Sequence, residues 1–415
     1  GADLARSGAF TARPGGVKRR LLAVRANLAI LRGMPPSQTR NLSVTERLSF
    51  RKRASLAAAL SYLALALAGC AFMPPAETAH DAALAAAPDP SAPRLPPLDT
   101  SRVSVDPKAE LVGQMQVLFA RYENTFSAIA RVYDVGYEAV RHANPGVDAW
   151  LPGEGTPVYL PTRSILPDAP RDGIVVNLPA MRLFYFRREP AKDGEGARLS
   201  ITSRPIGIGR EGWETPIGEA KVTQKVRDPV WYPPASVRKE HAENGDPLPA
   251  IVPAGPDNPL GRHALLLSLP GYLIHGTNKP AGVGMRVSHG CIRLYPEDIA
   301  ALFDAVPVGT HVTIVNQPAL AGWADGELYL EVHPPLEDDR DLAADAESAI
   351  AAAIERAGLP DVALNRAAIE RVVAERRGIP MPVGNTSRTL VEYLAASRIV
   401  DNTVPLPQTA ATAEN

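Results

Sequence analysis

Two short stretches hold residue types that can break and make an acyl bond: Ile274-His275-Gly276-Thr277-Asn278 and Val287-Ser288-His289-Gly290-Cys291-Ile292-Arg293-Leu294. Cys291 is one of two cysteines among 415 residues. A thiol attacks a carbonyl as thiolate, so it needs a neighbour that lowers its pKa from about 8.5 or takes the proton as attack proceeds. His275 and His289 are the candidates. His289 lies two residues before Cys291, which in an extended segment puts both side chains on one face, a rule that a turn would break. His275 ends the apolar run Gly271-Tyr272-Leu273-Ile274, which reads as a short buried strand. Spacing leaves the choice of base open. Gly276 and Gly290 lack a Cβ, so backbone can pass close to a reacting carbonyl, and N–H groups near Gly290 and Cys291 can face a developing oxyanion. Ser288 fits a supporting hydrogen bond better than a nucleophile. The same residues are a poor zinc site, because no fourth ligand stands at metal spacing.

The elements that must position these groups are mostly strands. From about Asp172, Ile174–Leu178 and Met181–Phe186 flank Pro179-Ala180 like the arms of a hairpin. Further strands are expected at 199–202, 205–209, 220–223 and 263–267, and many short strands separated by Gly and Pro predict a sandwich or barrel. Pro296 opens a helix with Glu297 and Asp298 in its first turn and Ile299, Leu302, Phe303 and Val306 on one face. His311–Val315 returns as a strand and closes the domain near Asn316. The insertion from Asp228 to Leu260, with Trp231 and Tyr232 among its prolines, is too long for an idle turn and reads as a lid over the site, or else as a proline-stiffened surface loop.

The phrases His-Gly-Thr-Asn and Ser-His-Gly-Cys-Ile-Arg-Leu, at this separation, resemble the signature of the L,D-transpeptidase (YkuD-type) catalytic domain, and Trp213–Gly218 resembles a loop of the same family. The resemblance implies that Cys291 is the nucleophile and His275 the base. It further implies that the Gly276 carbonyl orients His275, that His289 and Gly290 lie on the substrate and oxyanion side, and that Arg293 supports the site. Ser288, Asn278, Trp231 and Tyr232 are the expected substrate contacts. The family requires no metal or other cofactor.

Ahead of this domain, Arg51-Lys52-Arg53 and the apolar run ending in Leu67-Ala68-Gly69-Cys70 resemble a signal peptide with a bacterial lipobox, Cys70 being the lipidated residue. With Cys70 so used, Cys291 has no internal disulfide partner. Residues 1–50, which open on Gly1, read as extra upstream sequence. Net charge is -1, and the basic residues cluster where the targeting segment begins, so a nucleic-acid partner is not expected. The Pro- and Ala-rich stretch 71–107 reads as an extended tether. Residues 113–163 predict strand, helix, helix, strand, with Asn124 or Thr125 as helix cap. They resemble a LysM domain, a small α+β glycan-binding fold, with Glu123-Asn124 in place of the usual Gly-Asp. After Asn316, an acidic connection and Ala-rich helices at about 342–357, 365–377 and 386–397 form a helical C-terminal tail, for which docking on the catalytic domain is the simplest expectation.

The reading is therefore a mainly β catalytic domain at 172–316, a small α+β LysM-like domain and a helical tail at 317–415. The resemblance, to an ErfK/YbiS-like lipid-anchored branch in Gram-negative bacteria, implies a periplasmic, outer-membrane-anchored enzyme acting on peptidoglycan stem peptides. The acceptor is another stem peptide or a lysine of an outer-membrane lipoprotein. Two alternatives stand beside it: an L,D-carboxypeptidase or amidase-type hydrolase on the same substrates, and a non-enzymatic peptidoglycan-binding lipoprotein.

Overall fold

The computed structural model describes residues 88–190, 197–384 and 388–406. The signal-like segment, Cys70 and residues 71–87 of the expected tether lie outside the described residues. The end of the tether is not free chain: Arg102–Val105 forms strand β1, and Leu111–Gly113 forms β2. Next come β3 (Gln116–Phe119), α1 (Phe126–Val132), α2 (Tyr137–Ala143), β4 (Pro157–Leu160) and β5 (Arg163–Ile165). Thr125 caps α1 by accepting from the Ala128 N–H at 3.2 Å. Asn124 instead accepts from the Arg121 N–H.

The central domain follows with β6 (Gly173–Asn177), β7 (Arg182–Glu189), β8 (Arg198–Pro205), β9 (Ile208–Gly209), β10 (Gly218–Arg227), α3 (Ala235–Glu243), β11 (His263–Leu267), β12 (Leu273–His275), β13 (Arg286–Ser288), β14 (Ile292–Arg293), α4 (Pro296–Ala305) and β15 (His311–Val315). Nine strands make one mixed sheet in the order β1-β8-β7-β6-β15-β10-β11-β12-β14. β6 and β7 pair as the expected hairpin. β1 pairs antiparallel with β8, because a stretch alternating apolar and polar can satisfy its backbone on that sheet edge. At the opposite edge, Gly207 and Arg293 exchange backbone hydrogen bonds of 2.8 and 2.9 Å, so the chain leaving β8 is tied to β14 and the sheet curls toward itself. Ile174, Val176, Leu265, Ile274, Ile292 and Leu302 fill the concave side, α4 contributing the last. Each such burial is worth about 1.5–3 kcal/mol.

The C-terminal region departs from a helical tail. β16 (Ala319–Ala324), β17 (Glu327–Val332) and β18 (Met381–Gly384) form a three-stranded sheet, against which α5 (Leu342–Ala357) and α6 (Arg366–Glu375) pack. After α7 (Leu390–Ala395), β19 (Arg398–Ile399) pairs parallel with β3 and so completes the sheet of the small N-terminal unit. The main apolar contacts of this region run to that unit and not to the central domain: Leu111, Met115, Val117 and Ile165 share a core with Leu328, Leu330 and Ile350. Val400 and Val404 enter the core of α1 and β4. Among the described residues no helix is long and apolar enough to cross a membrane.

Candidate active site

β12 and β14 run parallel, with Ile274 opposite Ile292 and His275 opposite Arg293. Both isoleucines point into the core, so the alternation of a strand turns His275 and Arg293 to the other face. Cys291 immediately precedes β14. Its thiol donates to the Gly271 carbonyl over 3.7 Å, beside the Leu273 N–H. The thiol thus lies against the start of β12, whose last residue is His275.

The Nδ1 of His275 lies 2.6 Å from the carbonyl oxygen of Gly276. A carbonyl can only accept, so Nδ1 carries the hydrogen and Nε2 keeps the lone pair a general base needs. The imidazole is 3% exposed, and burial, followed by the positive charge of Arg293, pushes its pKa down to about 3 against the pull of the Gly276 and Leu260 carbonyls. Burial also pushes the Cys291 thiol up, while the Leu273 N–H and Arg293 draw it down. Both groups therefore rest neutral.

His289 is held elsewhere. Gly290 takes φ +100°, and this turn between β13 and β14 breaks the extended spacing that would have put His289 beside Cys291. The His289 Nε2 faces Glu240 at 3.0 Å and Arg210 at 3.2 Å, with its ring edge-on to Trp213 at 4.8 Å. Burial lowers its pKa while Glu240 raises it. A Cβ on Gly290 would come within 2.9 Å of the Tyr272 ring, so that position admits only glycine. Thr215 donates to the Gly290 carbonyl at 2.9 Å while accepting from the Gly209 N–H at 3.0 Å. Since the peptide is planar and trans, fixing that carbonyl turns the Cys291 N–H the opposite way, which is how a backbone donor is held ready for an oxyanion.

The remaining expected residues fall as follows. Ser288 donates to the Cys291 carbonyl at 2.6 Å, bracing the turn that carries the thiol. The Arg293 Nε is buried with no hydrogen-bond partner among the described residues. Asn278 donates to the Asp257 carbonyl at 3.0 Å and so binds the His275 loop to the insertion. Trp231 exchanges backbone hydrogen bonds with Val252 inside the insertion, and Tyr232 is exposed. The insertion also contains a helix that the reading by periodicity missed. α3 follows Pro233-Pro234 and is mostly polar, so it shows little apolar pattern. Arg210, Thr215 and Glu240 were missed as well. Arg210 precedes the family-like loop at 213–218 and Thr215 lies within it, and that position was the available signal; nothing marks Glu240 among its charged neighbours.

Among the described residues no group of three or more His, Cys, Asp or Glu is placed to hold a metal ion. A cavity of about 370 Å³ lined by Arg131, Asp134, Tyr295 and Asp298 and another of about 240 Å³ between α6 and β18 both exclude Cys291, His275 and His289.

Residues 171–314 match the L,D-transpeptidase catalytic domain, YkuD. The chain is 45% identical over 232 residues to the probable L,D-transpeptidase YbiS of Escherichia coli K12, covering 55% of this chain and 73% of that protein. Against the probable L,D-transpeptidase ErfK/SrfK of the same strain it is 40% identical over 293 residues, 68% of this chain and 90% of the relative. The ErfK/SrfK protein of Salmonella typhimurium is 44% identical over 236 residues, 56% of this chain and 74% of that one.

Proposed function

The chain belongs to the L,D-transpeptidase family and is an enzyme of that class, and from this premise we propose that it transfers peptidoglycan stem peptides through a thioester on Cys291. The donor is a tetrapeptide. Attack by sulfur on the carbonyl of its L-to-D bond forms the S–C bond while the thiol proton passes to Nε2 of His275. Collapse of the tetrahedral intermediate breaks the C–N bond, and His275 returns the proton to the departing amine, releasing D-alanine. The Cys291 N–H and the neighbouring turn at Gly290 would face the oxyanion. An acceptor amine, from a second stem peptide or a lipoprotein lysine, then gives its proton to His275 and displaces the sulfur. The observation that carries this reading is the Nδ1 lock on Gly276, which leaves Nε2 as acceptor on the strand packed against the thiol.

In this reading Cys70 carries the lipid that anchors the enzyme at the outer membrane, facing the periplasm. The β3-α1-α2-β4 unit is the LysM-like module that holds it on the glycan. The order of these elements supports that assignment.

The test is incubation with defined muropeptides followed by mass analysis, together with intact-mass detection of a carbapenem adduct. Cross-linked product and an adduct absent from Cys291→Ala support the proposal. An adduct that persists in that variant removes Cys291 from the nucleophile role. Trimmed tripeptide in place of cross-linked product assigns a carboxypeptidase.

A further inference from the structure

Glu240 stands on α3 in the insertion, and its carboxylate is held by two groups beside the Ser288–Cys291 turn. One is the Arg210 guanidinium, with which it forms an ion pair. The other is His289, at 3.0 Å. Arg210 is itself fastened next to the nucleophile, since its backbone N–H donates to the Ser288 carbonyl at 3.1 Å, and its guanidinium lies 5.9 Å from the Trp213 ring. His241, the next residue on α3, stacks obliquely 5.9 Å from the His289 ring and pairs with Asp246 at 3.3 Å. Two donors therefore converge on one carboxylate, and one of them stands two residues from the thiol.

The helix that brings this carboxylate is lightly held. α3 has no side-chain N-cap, and only Val237 among its nine residues is buried. The ion pair is about a third exposed on the arginine side, and such a partly solvated pair binds weakly enough for a second carboxylate to displace it. The peptide expected in the cleft carries that group: a donor ending in D-alanine presents a free carboxylate one residue beyond the scissile carbonyl.

We propose that Arg210 and His289 form the subsite for the donor's C-terminal carboxylate, and that Glu240 occupies this subsite in the resting enzyme as a latch the donor must displace. The assignment rests on the acyl-transfer reading and adds a specificity to it: the enzyme tells a peptide acid from a peptide amide. Arginine suits this task because its planar fork grips a carboxylate through paired N–H donors, which an amide cannot match.

The test uses two tetrapeptides that differ only in ending with D-alanine or D-alaninamide, and follows release of the last residue. The parent chain is expected to favour the acid by about tenfold or more in kcat/KM. Arg210→Gln should bring that ratio close to one by losing the acid alone, the amide donor reporting that the variant is folded, and Arg210→Lys should restore part of it. Glu240→Gln should lower KM for the acid with kcat kept, because the latch no longer competes. A parent that cleaves both peptides equally well overturns this inference and leaves acyl transfer standing. So does an Arg210→Gln variant that loses both donors alike while Glu240→Gln leaves KM unchanged. A parent that cleaves neither overturns the acyl-transfer reading and the subsite with it.

Discussion

His275 and Arg293 stand opposite each other as register partners of the parallel β12–β14 pair. The pairing puts a permanent positive charge beside a buried imidazole, and together with burial it keeps that imidazole neutral. The same guanidinium lowers the thiol pKa that burial raises. One arginine thus favours the neutral imidazole of His275 and the ionised thiol of Cys291.

The two histidines should therefore differ sharply under mutation. His275→Ala removes the group whose Nδ1 is locked on Gly276, and the acylation rate of Cys291 should fall by about 100-fold or more. His289→Ala removes a partner of Glu240 and Arg210 and should cost less. Stopped-flow acylation by a carbapenem, read by intact mass, ranks them; the reverse order would transfer the base role to His289.

Acid should weaken the fold through His275. Its folded pKa of about 3 lies below the ordinary histidine value near 6.5. The unfolded chain therefore binds more protons between these limits, and stability must fall as pH drops from about 6.5 toward 3. The contribution is fully present above pH 6.5. His142, pushed down to about 4 chiefly by burial, titrates in the same window, so the useful comparison is parent against His275→Gln. Urea denaturation at pH 7 and pH 4.5 should show a smaller loss for the variant.

Gly290→Ala should cripple the site without touching a proton-transfer group. Its φ of +100° is unfavourable for any L side chain, and the added methyl would strike the Tyr272 ring. Strain of about 1–3 kcal/mol is expected, released by moving the turn that carries Cys291. A Tm a few degrees lower with acylation reduced far more would meet the expectation; an unchanged rate would refute it.

Truncation after Ala396 should unfold the small N-terminal unit. It deletes β19, the strand beside β3, and the fully buried Val400 from the core of α1 and β4. Losing two buried valines, Val400 and Val404, removes about 3 kcal/mol or more of apolar burial. Proteolysis between residues 113 and 163 should become rapid in the truncated chain, with Cys291 still open to acylation.

The elements of the catalytic domain were legible in one dimension because they rest on local rules. The hairpin at Ile174–Phe186, the helix opened by Pro296 and the helix stopped by Gly358 follow from alternation, proline and glycine chemistry over a few residues. Cys291 and its two histidines were recognisable from residue type and spacing. Where each imidazole is held was not, because that depends on a single positive φ at Gly290 and on the parallel pairing of β12 with β14. Long-range pairing likewise decided that Arg102–Val105 joins the catalytic sheet and that Arg398-Ile399 completes the sheet of the small unit. A strand of two to four residues carries too little pattern to announce its partner. Glu240 stayed hidden for a related reason: on an exposed helix rich in charge every carboxylate looks alike until the fold brings one of them to an arginine and a histidine near Cys291.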